Sequence, residues 1–209
     1  MSKEKPEKKS SLKKELSQWG FSLGIIAILY ATGLHTEVIG RLQSVLLFSG
    51  ILQPDTELAE GLKKDAYFDM PMVSLGGEYS SLEEFQGKTI FLNFWATWCP
   101  PCIAEMPNIQ DLYDDISSEQ NIQFVMLSLD EDPQNVQDFI HRKGFTFPVF
   151  ILNGRKPGVY NSSVVPTTYV ISPEGEIVME HAGMAKYNTE SFKAFLLGVS
   201  SMEAPVDSF

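Results

Sequence analysis

Two cysteines and three histidines in 209 residues leave little for a metal to bind. His35, His141 and His181 are scattered without ligand spacing, and Cys99 and Cys102 exhaust the thiols, so a four-ligand zinc site has no donor set. Covalent haem attachment needs a histidine directly after the second cysteine, and residue 103 is Ile. Positive charge is scarce as well. Sixteen Lys and Arg face 27 Asp and Glu, a net charge of −11, which removes the electrostatic footprint of a nucleic-acid binder. There is no internal repeat or low-complexity stretch, and neither a metal nor an organic cofactor is implied.

The two cysteines lie close together in Trp98-Cys99-Pro100-Pro101-Cys102, directly after the apolar run Thr89–Trp95. A thiol where a buried strand turns into a helix meets the helix's unpaired N–H groups and positive end, and both favour thiolate over thiol. Cys102, one turn on, lies on the same side and can close a disulfide or resolve a mixed one. An inert structural disulfide is the bland alternative, but so short a loop constrains the unfolded chain little and would add little stability. The pattern reads as a redox device.

The charge is distributed unevenly. Residues 1–18 form a basic head, with six lysines against Glu4, Glu7 and Glu15, and the remainder carries a net charge of −14. Trp19 to Leu34 has no charge. Counted from Leu16 the apolar stretch covers 19 residues, which at about 1.5 Å each nearly spans a bilayer core of roughly 30 Å. A lysine-rich head before such a stretch predicts a single transmembrane anchor with a cytoplasmic N-terminus and the cysteines outside the cytoplasm. Cleavage as a signal peptide is the rival, with Ala31-Thr32-Gly33 a poor cleavage site. Either route exports the thiols to where disulfide chemistry is expected.

Residues 35–64 read as an amphipathic stalk and polar linker, and residues 200–209 as a loose tail. Between them, 65–199 alternates strands and helices as one α/β domain. Strands are expected at 71–75, 89–95, 122–129 and 147–152, with a hairpin of 167–172 and 177–181. A capped helical turn is expected from Ser80 to Phe85. Helices follow from Cys99 to about Ser117, kinked at Pro107, from Asp132 to Lys143 with Gly144 closing it, and from Asn188 to Val199.

FLNFWATWCPPC, then Glu105-Met106-Pro107, and later Val165-Pro166-Thr167-Thr168-Tyr169, closely resemble the thioredoxin superfamily, and within it the membrane-anchored TlpA/ResA-like thiol–disulfide oxidoreductases. The resemblance covers about two-thirds of the chain. It implies a thioredoxin-like fold, a central mixed sheet flanked by helices, with residues 132–152 as an insertion. It implies Cys99 as the exposed nucleophile, Cys102 as its buried partner, and Pro166 as a cis-proline facing the disulfide. Trp98, Pro100, Pro101, Val165 and Pro166 become the substrate contacts, since a cis bond would turn the Val165 carbonyl and amide toward an extended peptide. Thioredoxins commonly bury an Asp where this chain has Asn93, and Asn cannot take a proton. Glu105, three residues after Cys102, is the candidate replacement. A solvated helix carboxylate is the alternative.

These readings predict a membrane-anchored extracytoplasmic thiol–disulfide oxidoreductase. Its partners would be a disulfide-bearing protein substrate, with apocytochrome c leading, and a membrane-bound or exported thiol electron donor. Peroxide reduction is disfavoured, because the Thr and Pro required three and seven residues before the cysteine are Ala96 and Leu92. The non-enzymatic alternative is an anchored binding module whose disulfide is idle.

Overall fold

The computed structural model describes residues 9–31, 52–54, 64–160 and 162–201. Its elements run in order as helix α1 (Lys9–Ala31) and strands β1 (Lys64–Asp65), β2 (Pro71–Ser74) and β3 (Tyr79–Ser81). A 3₁₀ turn (Leu82–Phe85), β4 (Thr89–Trp95), α2 (Pro100–Ile116), β5 (Ile122–Ser128) and α3 (Pro133–Lys143) follow. Then come β6 (Val149–Leu152), a 3₁₀ turn (Gly158–Tyr160), β7 (Thr167–Ile171), β8 (Glu176–Ala182) and α4 (Glu190–Ser200). The strands form one mixed sheet in the order β1-β8-β7-β4-β5-β6-β2-β3. β4, β5 and β6 are parallel neighbours, while β7 runs antiparallel to β4.

Every residue of β4 is buried, as a continuous apolar run requires when both faces of a strand are covered. Alternate side chains go to opposite layers. Phe91 and Trp95 join Ile109 of α2, Phe139 of α3 and Phe192 of α4. Ile90, Leu92 and Phe94 face a second layer built from Met70, Leu82, Tyr160 and Tyr169. The described helices of the domain therefore contribute to one layer, and 3₁₀ turns and extended segments supply the other.

Helix boundaries follow local chemistry. Asp132 caps α3 by accepting from the Gln134 N–H, Pro133 fits its first turn, and Gly144 ends it at φ 71°. Thr189 caps α4, so that helix starts at Glu190 rather than Asn188, and it runs through Ser200, the first residue of the expected tail. α2 continues through Pro107 to Ile116. Ser80 does not start a helical turn. Tyr79–Ser81 pairs with β2 instead, and the 3₁₀ turn begins after Ser81, whose side chain accepts from Glu83 N–H. β6 starts at Val149 because Pro148 has no N–H for the ladder, although its carbonyl accepts from Met126. β1, which periodicity did not reveal, is a two-residue pairing on the edge of β8.

α1 contains most of the expected anchor and exposes Trp19, Phe21, Ile26 and Tyr30. Among the described residues no helix is long and apolar enough to cross a membrane. The lysine-rich first half of α1 offsets its apolar second half, and residues 32–34 of the expected anchor lie outside the described residues. The same holds for most of the stalk and linker and for residues 202–209.

Candidate active site

β4 ends at Trp95, and the chain turns through Ala96, Thr97 and Trp98 into Cys99. Cys99 is the N-cap of α2 in extended conformation, at φ −101° and ψ 100°. Pro100 and Pro101 occupy the first turn and have no N–H to offer. The first available donor is the N–H of Cys102, which lies 3.2 Å from Cys99 Sγ. Cys99 and Cys102 are joined as a disulfide.

The opposite wall comes from the start of β7. Phe94 pairs with Thr167, which sets the preceding residues beside the exit of β4. The Val165–Pro166 bond is cis, and the Val165 carbonyl oxygen is 3.6 Å from Cys99 Sγ. Trp98 is 58% exposed and Val164 49%. Cys102 is fully buried, as expected, but Cys99 is only 3% exposed. The expectation of an exposed nucleophile is corrected: Cys99 packs beside Val165, caps its own helix and is bonded to Cys102, and in this oxidised state the residue is buried.

Glu105 is fully buried, which removes the alternative of a solvated carboxylate. Its Oε1 accepts from Asn93 Nδ2 at 2.9 Å, and its Oε2 accepts from the Ala185 N–H at 3.2 Å. Burial raises its pKa to about 8, against the opposing pull of those two hydrogen bonds. A carboxyl that exchanges its proton near neutrality, one turn beyond Cys102, suits proton transfer to and from a thiol. Asn93 also donates to Thr168 Oγ1 at 2.9 Å, and the Tyr187 phenol donates to the same oxygen at 2.7 Å. Burial pushes the Tyr187 pKa well above its usual value.

A second polar cluster holds the loop that leads to Cys99. Asp130 Oδ2 accepts from the Thr97 N–H at 2.9 Å and from Ser128 Oγ at 2.7 Å, and its Oδ1 accepts from Thr97 Oγ1 at 2.5 Å. The clamp ties the end of β5 to the segment presenting Trp98. The structure thus brings Cys99, Cys102, Val165 and Pro166 together, with Trp98, Pro100 and Pro101 at the rim and Glu105 behind. Thr97, Asp130, Thr168 and Tyr187 were missed. Their signal was slight: Thr97, Asp130 and Thr168 are polar residues inside or just beyond strands that otherwise read as buried, and Tyr187 lies in the irregular segment between β8 and α4.

Among the described residues no group of His, Cys, Asp or Glu could hold a metal ion. A family description, the AhpC/TSA family, matches residues 63–180. The thiol-disulfide oxidoreductase ResA of Halalkalibacterium halodurans is 40% identical over 120 residues, 56% of this chain and 68% of the relative. That of Oceanobacillus iheyensis is 46% identical over 97 residues, 46% of this chain and 50% of the relative. Among solved structures, a thiol:disulfide interchange protein of the thioredoxin family from Chlorobium tepidum TLS superposes with a TM-score of 0.53 at 24% identity. The superposition covers 66% of this chain and 99% of that one, a likeness of fold.

Proposed function

The chain belongs to the AhpC/TSA family and is a thiol–disulfide oxidoreductase, and we propose that it reduces disulfides of exported proteins from the outer side of a membrane. The observation that carries the reading is the placement of Cys99. Its sulfur caps α2, sits against the Val165 carbonyl at the cis-proline, and lies within reach of a buried second cysteine.

In the reduced protein the Cys99 thiolate attacks one sulfur of a substrate disulfide. That bond breaks, one substrate thiolate leaves, and a mixed disulfide forms. Cys102, giving its proton to Glu105, then attacks Cys99 Sγ and the second substrate thiolate leaves. Two electrons pass to the substrate, and the Cys99–Cys102 disulfide remains. A membrane-bound or exported thiol donor restores the dithiol. Trp98, Pro100, Pro101 and Val165 line the approach of an extended peptide, and Pro166 fixes the bend that turns the Val165 carbonyl toward it. Apocytochrome c, whose thiols must be free before haem attachment, is the leading substrate.

The basic head of residues 1–18 and the uncharged run 19–34 support single-pass anchorage with a cytoplasmic N-terminus. An anchored protein resists alkaline and high-salt washing of membranes and keeps its N-terminus, whereas a soluble chain beginning near His35 refutes the anchor. The activity is tested with Cys102→Ser, which stalls at the mixed disulfide and accumulates exported partners that reductant releases. Failure of Cys102→Ser to hold any partner that Cys99→Ser does not also hold refutes the reading.

A further inference from the structure

The cis-proline loop, residues 162–167, carries the proposed peptide wall beside Cys99, and side chains within the loop fix its shape. The Ser162 and Thr167 hydroxyls are 2.8 Å apart, and they lie 3.1 and 2.7 Å from the Val164 carbonyl oxygen. The Val164 N–H donates to Ser162 Oγ at 3.2 Å. The end of the loop is tied to the sheet, because Thr167 pairs with Phe94 of β4 and the Gly183 N–H donates to the Pro166 carbonyl at 2.8 Å. At its start the Ser162 N–H donates to the Tyr160 carbonyl at 2.8 Å, and the Ser162 backbone also hydrogen-bonds to the Tyr169 phenol.

The Ser162 carbonyl is held by a residue that the exchange chemistry leaves unused. Lys156, in the segment between β6 and the 3₁₀ turn Gly158–Tyr160, donates to it through Nζ. The same ammonium lies 5.3 Å from the centroid of the buried Phe94 ring. A surface lysine ordinarily keeps its ammonium in water. Lys156 is half-buried, and burial draws its pKa down, because a charged ammonium is harder to hold away from water. The carbonyl and the ring face offset that cost. Both ends of the loop therefore refer to Phe94, Thr167 through the sheet ladder and Ser162 through Lys156. The strand that holds Phe94 leads directly to Cys99.

We propose that Lys156 is a positioning residue, which clasps the start of the cis-proline loop to Phe94 and so holds Val164 and Val165 in register with Cys99. Its role is to seat extended peptide substrates. A small disulfide has no main chain to lay along the loop and does not use the clasp.

The inference rests on the proposed contact of this loop with a peptide, so it is tested with a peptide and without one. The reduced full-length chain is mixed in single turnover with excess of a peptide containing one internal disulfide, or with hydroxyethyl disulfide. Lys156→Met keeps the length of the side chain but has neither donor nor charge. Its half-saturating peptide concentration should rise about tenfold, the loss of one charge-assisted hydrogen bond at the low end of its range. Its limiting rate, and its rate with hydroxyethyl disulfide, should match the wild type. Lys156→Arg, which keeps a donor and a cation for the ring, should stay within about twofold of the wild type on both substrates. Hydrogen exchange reads the clasp without thiol chemistry. In the oxidised chain the Val164 amide should exchange about tenfold faster in Lys156→Met and at the wild-type rate in Lys156→Arg, with the β4 amides unchanged. The inference is overturned if Lys156→Met leaves either Val164 exchange or peptide saturation in place, if it slows both disulfides equally, or if Lys156→Arg loses as much as Lys156→Met. A wild-type dithiol that reduces hydroxyethyl disulfide but never the peptide is a failure of the proposed function, and the clasp then stands or falls on Val164 exchange.

Discussion

Glu105→Gln removes a fully buried ionisable group, and its effect on stability can be worked out. The carboxyl pKa rises from 4.5 to about 8 on folding, chiefly through burial. Below pH 4.5 the folded and unfolded chains both carry the proton, and the neutral acid's stabilising contribution is fully present. Above that, the unfolded chain releases its proton while the folded chain retains it. Stability therefore falls by about 1.4 kcal/mol per pH unit until pH reaches about 8, a total of up to about 5 kcal/mol. Gln cannot ionise, so this slope disappears. Gln offers a single acceptor where the carboxyl accepts from both Asn93 and Ala185, which costs about 1 kcal/mol at all pH values. The variant should be slightly weaker than the wild type at pH 4.5 and about 2–4 kcal/mol more stable at pH 8. Urea unfolding of the oxidised chain across this range measures both curves. Parallel curves, or a variant weaker at every pH, would refute the reasoning.

Pro100→His adds a backbone donor near the Cys99 sulfur, where the prolines now leave only the Cys102 N–H. One charge-assisted hydrogen bond to the thiolate should raise the reduction potential by about 30–60 mV, read by equilibration against glutathione; an unchanged or lower potential contradicts this. Asp130→Ala frees Thr97 and leaves the Ser128 hydroxyl proton without its acceptor, while the backbone N–H of residue 130 still donates to Ser128 Oγ. It should cost about 2–3 kcal/mol in urea unfolding and speed alkylation of reduced Cys99, and a variant matching the wild type in both would show that the clamp is idle. Glu105→Gln should also slow thiol exchange most near neutral pH, by about 10²–10⁴-fold. A stopped-flow rate unchanged across the pH range would remove Glu105 from proton transfer.

The parts of the molecule that local chemistry dictates could be read along the chain. The apolar run of β4, the Asp132-Pro133 start and Gly144 stop of α3, and the placement of Cys99 ahead of a proline-bearing helix all depend on neighbours in sequence. What could not be read depends on register. Thr168 reaches Asn93 because β7 pairs with β4 in one particular alignment, and Thr97 meets Asp130 across 33 positions. β1 and β3 are short edge pairings whose side chains are half-buried or exposed, so hydrophobic alternation leaves no trace of them. For Glu105 the spacing from Cys102 identified the residue, but its burial comes from the sheet and from the segment after β8. The coverage of Cys99 was invisible for a similar reason, since Val165 is brought to it from 66 positions away.

The central claim is that the Cys99–Cys102 pair exchanges electrons with a protein disulfide, with Cys99 attacking first. A single-turnover experiment tests it directly: the reduced full-length chain is mixed with an equimolar disulfide-bearing protein, and thiols are counted on both as the reaction proceeds. One substrate disulfide should be reduced for each Cys99–Cys102 disulfide formed. Cys102→Ser should stop at a covalent adduct, and Cys99→Ser should not react. A wild-type dithiol that leaves the substrate oxidised would identify the pair as an idle disulfide in a binding module and contradict the assignment.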